Sequence, residues 1–183
     1  GGIGASGLSS EVVTTLIPVV DESLCNACGE CSRFCRFNAI VSIKTAPIVF
    51  PELCHSCGGC MLVCPQKAIR EEPQGIGTID TVRSGKVLLA EGRLDVGVVS
   101  SPPLIRAVKA SYGGGEAAEG SAQTAVIIDA PPGASCPVVT ALRGCDYVVL
   151  VTEPTPFGLH DLEIAVATVR ELGLPFGVVV NRD

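Results

Sequence analysis

Eight of the ten cysteines stand in two matching quartets, Cys25, Cys28, Cys31 and Cys35, then Cys54, Cys57, Cys60 and Cys64. Each quartet has the spacing C-x2-C-x2-C-x3-C, which suits a cubane iron–sulfur cluster. Three thiolates at intervals of three residues can converge from one tight loop onto three corners of a cluster. The fourth lies a helical turn further on, points away, and reaches the other cluster. The spacing therefore assigns Cys25, Cys28, Cys31 and Cys64 to one [4Fe–4S] centre, and Cys54, Cys57, Cys60 and Cys35 to a second. The second quartet ends Cys64-Pro65, as the bacterial signature expects, whereas the first ends Cys35-Arg36.

The quartets belong to an internal repeat. Shifted by 29 positions, DESLCNACGECSRFCRFNAI overlays FPELCHSCGGCMLVCPQKAI, sharing Leu, four Cys, one Gly and the closing Ala-Ile. The duplication resembles that of a bicluster ferredoxin domain with a pseudo-twofold axis. Structural zinc usually takes two CxxC pairs on either side of a longer loop, rather than four cysteines packed so closely. Disulfides need an oxidising compartment, and the N-terminal residues do not read as a secretory signal. The expected setting is a reducing cytoplasm.

The elements that must hold these loops can be read coarsely. Residues 1–20 read as a flexible Gly/Ser-rich leader followed by a strand at 14–20 that leads into the cluster domain. That domain spans 21–72, with short strands at 39–43 and 48–50 between the quartets and an exit at Glu71-Glu72-Pro73. Residues 73–183 read as a partial α/β domain. Strands at 77–82 and 86–91 make a hairpin around Arg83-Ser84-Gly85, a helix runs over 102–110, and 113–121 is a glycine-rich loop. Short apolar runs at 125–128, 147–151 and 176–180 read as central parallel strands. Helices over 136–142 and 156–172 separate them, the second with Leu159, Leu162, Val166 and Val169 on one face. Thr155-Pro156 starts that helix and Gly173 and Pro175 stop it.

Composition agrees with an α/β fold. The chain is 47% hydrophobic but 4% aromatic, so Val, Ile, Leu and Ala must fill the core. A net charge of −6, without a basic stripe, argues against nucleic acid as a partner. No apolar run approaches the ~20 residues of a membrane span, so membrane insertion is not expected.

Ligands of open parallel sheets bind beyond the carboxyl ends of the strands. Here those ends read Asp129-Ala130-Pro131-Pro132-Gly133, Thr152-Glu153-Pro154 and Asn181-Arg182-Asp183. An Asp at such an end can hold a Mg²⁺-bound water, and a Pro-Pro-Gly turn can offer N–H groups to phosphate. The same Asp-x-Pro-Pro-Gly is equally a plain strand-ending turn.

IIDAPPGASCPVV, LVTEPTPFGLHDL and VVVNRD resemble, in order, three motifs of the MinD/ParA/Mrp group of deviant-Walker P-loop ATPases, and among them the members with an inserted bicluster ferredoxin domain. The likeness covers residues 11–183. It implies a parallel-sheet, Rossmann-like nucleotide-binding domain with an inserted α+β ferredoxin-like domain, and two [4Fe–4S] clusters with MgATP in the intact protein. It further implies that Asp129 binds Mg²⁺ through water in catalysis, that Gly133 lies near the γ-phosphate, that Asn181 bonds adenine and that Arg182 flanks the base. A face-to-face homodimer and a redox partner protein or cluster client come with it. Gly1-Gly2-Ile3-Gly4-Ala5-Ser6 echoes the family's phosphate loop but has Ala5 where the lysine belongs, so the chain reads as the interior of a longer ATPase. The alternative is a ferredoxin-type electron carrier on an α/β scaffold that binds no nucleotide.

Cys136 and Cys145, outside the quartets, read as small buried hydrophobes. Gly58-Gly59 is expected to let backbone N–H groups approach cluster sulfur, and Arg33, Arg36 and Lys67 to steer a redox partner or to form a solvated face.

Overall fold

The computed structural model describes residues 6–113 and 125–182. The GGIGA start, Asp183 and nearly all of the glycine-rich stretch 113–121 lie outside the described residues. The chain divides into two compact units, Gly1–Tyr112 and Gly113–Asp183.

The first unit is organised by a long antiparallel ribbon. Strand β1 (Ser6–Val20) pairs with β4 (Ile69–Ser84) along nearly its whole length, and β5 (Val87–Leu94) pairs with the far half of β4. The expected flexible leader is thus strand from Ser6 onward, because the facing edge of β4 supplies a ladder that Gly/Ser composition does not forbid. Nor does the chain exit at Glu71-Glu72-Pro73: β4 continues through it, which carries 73–112 into the first unit instead of the later α/β part. Pro73 lies in the half of β4 that has β1 alone as neighbour, the setting in which a strand tolerates a residue without N–H. Helix α3 (Pro102–Gly113) packs on this sheet, with Leu104 joining Val13, Ile76 and Ile79 in the core. A Cβ on Gly92 would strike Val108 and Leu104, so glycine there sets the close approach of α3 to β5.

The quartet segment hangs on the near end of the ribbon. Its elements are α1 (Glu30–Phe34), β2 (Ile40–Val41), β3 (Ile48–Val49), a 3-10 turn (Pro51–Leu53) and α2 (Gly59–Leu62). The 29-residue repeat is visible in the pairing. Val20 faces Ile69 and Val49 faces Ile40, so the strand entering each half pairs with the strand leaving the other.

In the second unit, β6 (Val148–Thr152) and β7 (Phe176–Val180) pair in parallel, connected by α5 (Pro156–Glu171). Val138 and Leu142 of α4 (Cys136–Leu142), Val148 and Val169 are its buried core. Thr155 caps α5 by accepting from the Gly158 N–H at 3.0 Å. Leu162, Val166 and Val169 turn inward as expected, but Leu159 is exposed. The expected strand at 125–128 is absent: the run forms no ladder, and Ile127 is almost fully exposed. Among the described residues the parallel sheet is the β6–β7 pair, and this run does not join it. The fold is mixed α/β, with antiparallel and parallel sheets in separate units.

Candidate metal centre

The two cysteine loops have one backbone design used twice. Ala27 and Ser56 adopt positive φ (55° and 53°), as do Gly29 and Gly58 (77° and 68°) and Asn38 and Lys67 (53° and 50°). Each pair is related by the repeat. The left-handed turn at Ala27 points its N–H at the Cys25 Sγ, 3.4 Å away, and Ser56 does the same to the Cys54 Sγ at 3.4 Å. A third amide, Ala68 N–H, donates to the Cys64 Sγ at 3.3 Å. Such donors stabilise negative charge on sulfur. Sequence reasoning looked for them at Gly58-Gly59 and missed these three.

One cavity is walled by Cys25, Cys28 and Cys31 on one side and by Cys64 on the other, with Val20, Pro47 and Ile69 completing an apolar lining. Cys31 is buried in a small core with Ile40 and Ile69, against which Cys35, Cys60 and Cys64 pack. Burial pushes the Cys31 thiol up, and the thiols of Cys28 and Cys64 add to it. On the other side burial also raises Cys54, with Cys57, Cys35 and Glu71 contributing. Burial pushes Cys60 up to about 11, its charged neighbours being Cys54 and Cys57. The neighbours of Cys31 thus include Cys64 and those of Cys54 include Cys35, each from the opposite quartet, whereas those of Cys60 come from its own. Among the described residues no three His, Cys, Asp or Glu side chains gather closely enough to hold one metal ion. A single tetrahedral zinc needs every ligand at roughly 2.0–2.3 Å, whereas a cubane offers each thiolate its own iron. Thiols spaced around a cavity fit the second case.

The remaining cysteines differ from expectation. Cys136 is exposed at the start of α4, its position at the helix entrance leaving it in solvent, while Cys145 is half-buried and donates to the Ala141 carbonyl at 3.5 Å. The residues singled out for nucleotide are only partly gathered. Asn181 N–H donates to the Thr152 carbonyl at 2.8 Å and Arg182 pairs with Glu153 at 3.2 Å, so the carboxyl ends of β6 and β7 are tied together. Asp129 is exposed in irregular chain and Gly133 sits in a turn at φ 90°. Among the described residues no hydrogen bond or ion pair connects either to Asn181 or Arg182. No helix among the described residues is long and apolar enough to cross a membrane.

Comparison with known proteins bears on the same segment. Two uncharacterized proteins of Methanocaldococcus jannaschii are similar to this chain. One is 45% identical over 56 residues, 31% of this chain and 21% of its own length. The other is 33% identical over 158 residues, 86% of this chain and 53% of its own length. The chain thus spans about half the length of the relative it matches most extensively. Residues 24–69 match the family model described as a 4Fe-4S dicluster domain. With the paired loops and their thiol-lined cavity, this match makes the segment a ferredoxin-like iron–sulfur domain.

Proposed function

We propose that the chain is a two-cluster electron-transfer protein with crossed ligation. Cys25, Cys28, Cys31 and Cys64 hold one [4Fe–4S] group, and Cys54, Cys57, Cys60 and Cys35 hold the other. The observation that carries this reading is the single cavity shared by three thiols of the first quartet and the last thiol of the second. When bound, each group supplies one-electron chemistry. The protein's part is to fix the thiolates from two loops at once, to aim the amides of Ala27, Ser56 and Ala68 at sulfur, and to bury Cys31 and half-bury Cys60. Anaerobically purified protein should carry about eight iron and eight sulfide per chain. Stoichiometric zinc without labile sulfide would reject the reading.

A second reading is supported by the β6–α5–β7 unit, a parallel pair whose carboxyl ends bring Thr152, Glu153, Asn181 and Arg182 together. This arrangement suits the nucleotide site implied by the likeness to MinD/Mrp-type ATPases. In the intact cytoplasmic protein, Asp129, Gly133, Asn181 and Arg182 would then serve MgATP. Nucleotide state and homodimer formation would gate exchange with a redox partner or cluster client. The phosphate loop's lysine and amides normally make most phosphate contacts, so this chain should bind MgATP weakly or not at all. A longer protein with an intact loop should bind it and lose Mg²⁺-dependent turnover on Asp129→Ala, with iron content unchanged. Calorimetry on both lengths is the measurement, and failure of the longer one to bind would leave the electron carrier alone.

A further inference from the structure

The two halves of the cluster domain repeat in backbone but not in surface. Across the 29-residue shift, Arg33, Phe34, Arg36 and Phe37 correspond to Leu62, Val63, Pro65 and Gln66. All four residues of the first half are exposed, and they line one groove together with Cys35 and Cys57. Cys57 is itself exposed. The groove thus opens on the second cysteine set, and its two cations and two aromatic rings have no counterpart on the other side.

Several features show that this is more than a solvated face. The chain as a whole carries −6, so a spot lined by arginines runs against its general charge. Arg33 is held in place: it donates to the Cys28 carbonyl at 3.1 Å and pairs with Glu30 at 2.6 Å. Arg36 makes no ion pair among the described residues, so its charge is available. Phe37 lies against His55, and Phe34 rests on Gly59, so both rings keep their place while leaving a large part of their surface in water. Exposed aromatic rings beside arginines are the composition of interface centres, and local cations select an acidic counterpart.

We infer that this groove is the docking face of the second centre, and that its occupant is a redox protein whose own centre is rimmed by Asp and Glu. The inference rests on the two-cluster reading above. It goes beyond it by assigning the exit to one side of the domain and a charge to the partner.

The test uses the iron-loaded protein and a fluorescein-labelled oligoglutamate as a stand-in for the partner's rim, read by fluorescence anisotropy. Saturable binding should weaken about fivefold in Arg33→Gln/Arg36→Gln and clearly in Arg36→Gln alone, but not in Lys86→Gln at the distant hairpin turn. Bound oligoglutamate should also slow oxidation of the dithionite-reduced protein by Co(III)-EDTA, an anion that takes one electron and becomes Co(II). Equal weakening by Lys86→Gln, no binding, or binding that leaves this oxidation untouched would overturn the assignment. Competition by MgATP as effective as that of oligoglutamate would overturn it too, because the groove would then take a small anion. Iron and sulfide are measured on every sample. Absence of clusters rejects the underlying electron-carrier reading, whereas full clusters with charge-independent binding reject the docking face alone.

Discussion

The ring of Phe37 lies nearly flat on the ring of His55, with centroids 3.7 Å apart and planes 16° from parallel. Phe37 follows Cys35 by two residues and His55 follows Cys54 by one, so the stack clamps the two loops that jointly supply the second centre. Removing it with Phe37→Ala forfeits about 0.5–1.5 kcal/mol of aromatic contact. In brief air exposure followed by electron paramagnetic resonance of the reduced protein, that centre should decay several-fold faster than in the wild type, while the other is unaffected. Identical decay of both centres would show that the stack does not hold the loops.

Crossed ligation makes an opposite pair of substitutions diagnostic. Cys35→Ser should damage the centre built mainly by Cys54, Cys57 and Cys60, and Cys64→Ser the one built by Cys25, Cys28 and Cys31. Each variant should retain about half the wild-type iron. Loss of the centre nearest in sequence, seen by Mössbauer spectra of the two variants, would require uncrossed sets.

Gly59→Ala tests the packing of α1 on α2. A Cβ there would run into the Phe34 ring, and the aromatic side chain would have to swing off. Overpacking of this kind costs about 1–3 kcal/mol. Denaturant unfolding of the iron-loaded protein should show it as a lower midpoint with an unchanged slope.

Burial gives the thiols an order of reactivity. In reduced protein freed of iron by a chelator, iodoacetamide should reach the exposed Cys28 and Cys57 first and Cys60 among the last. Because burial raises Cys60 to about 11, its thiolate appears only at high pH, and its modification rate should keep climbing toward that value. Mass spectrometry of peptides labelled across a pH series would check it, and a rate at Cys60 that levels off well below that value would contradict the burial.

The cluster domain was legible because its information is local. Ligand spacing and a 29-residue repeat lie within short windows, and the short strands at Ile40–Val41 and Ile48–Val49 fall inside the segments expected. The parallel pair and α5 were legible too, since continuous Val/Ile runs and the Thr155-Pro156 start announce them. What escaped depends on partners distant in sequence. Residues 6–10 become strand because β4 lies opposite, whereas the apolar run at 125–128 pairs with no strand. Leu159 has the right spacing but meets no neighbour that would bury it. The amides aimed at sulfur follow from positive φ at Ala27 and Ser56, conformations that neither residue type advertises.

The ribbon of β1 and β4 is also a constraint on parity. Its register slips twice, between Ser6 and Leu8 and between Val13 and Thr14, the second a bulge in which Ile76 is the extra residue opposite. That bulge resets which face the side chains take, so that Ile69 serves the cluster domain while Ile76 and Ile79 serve the sheet under α3. Between the two slips the ladder therefore counts in twos. Insertion of two residues in β4 on the α3 side would lengthen the ribbon and keep every isoleucine inward, whereas insertion of one would turn Ile79 out and its polar neighbours in. Between the two slips, length can vary only in even steps if Ile79 is to stay inward.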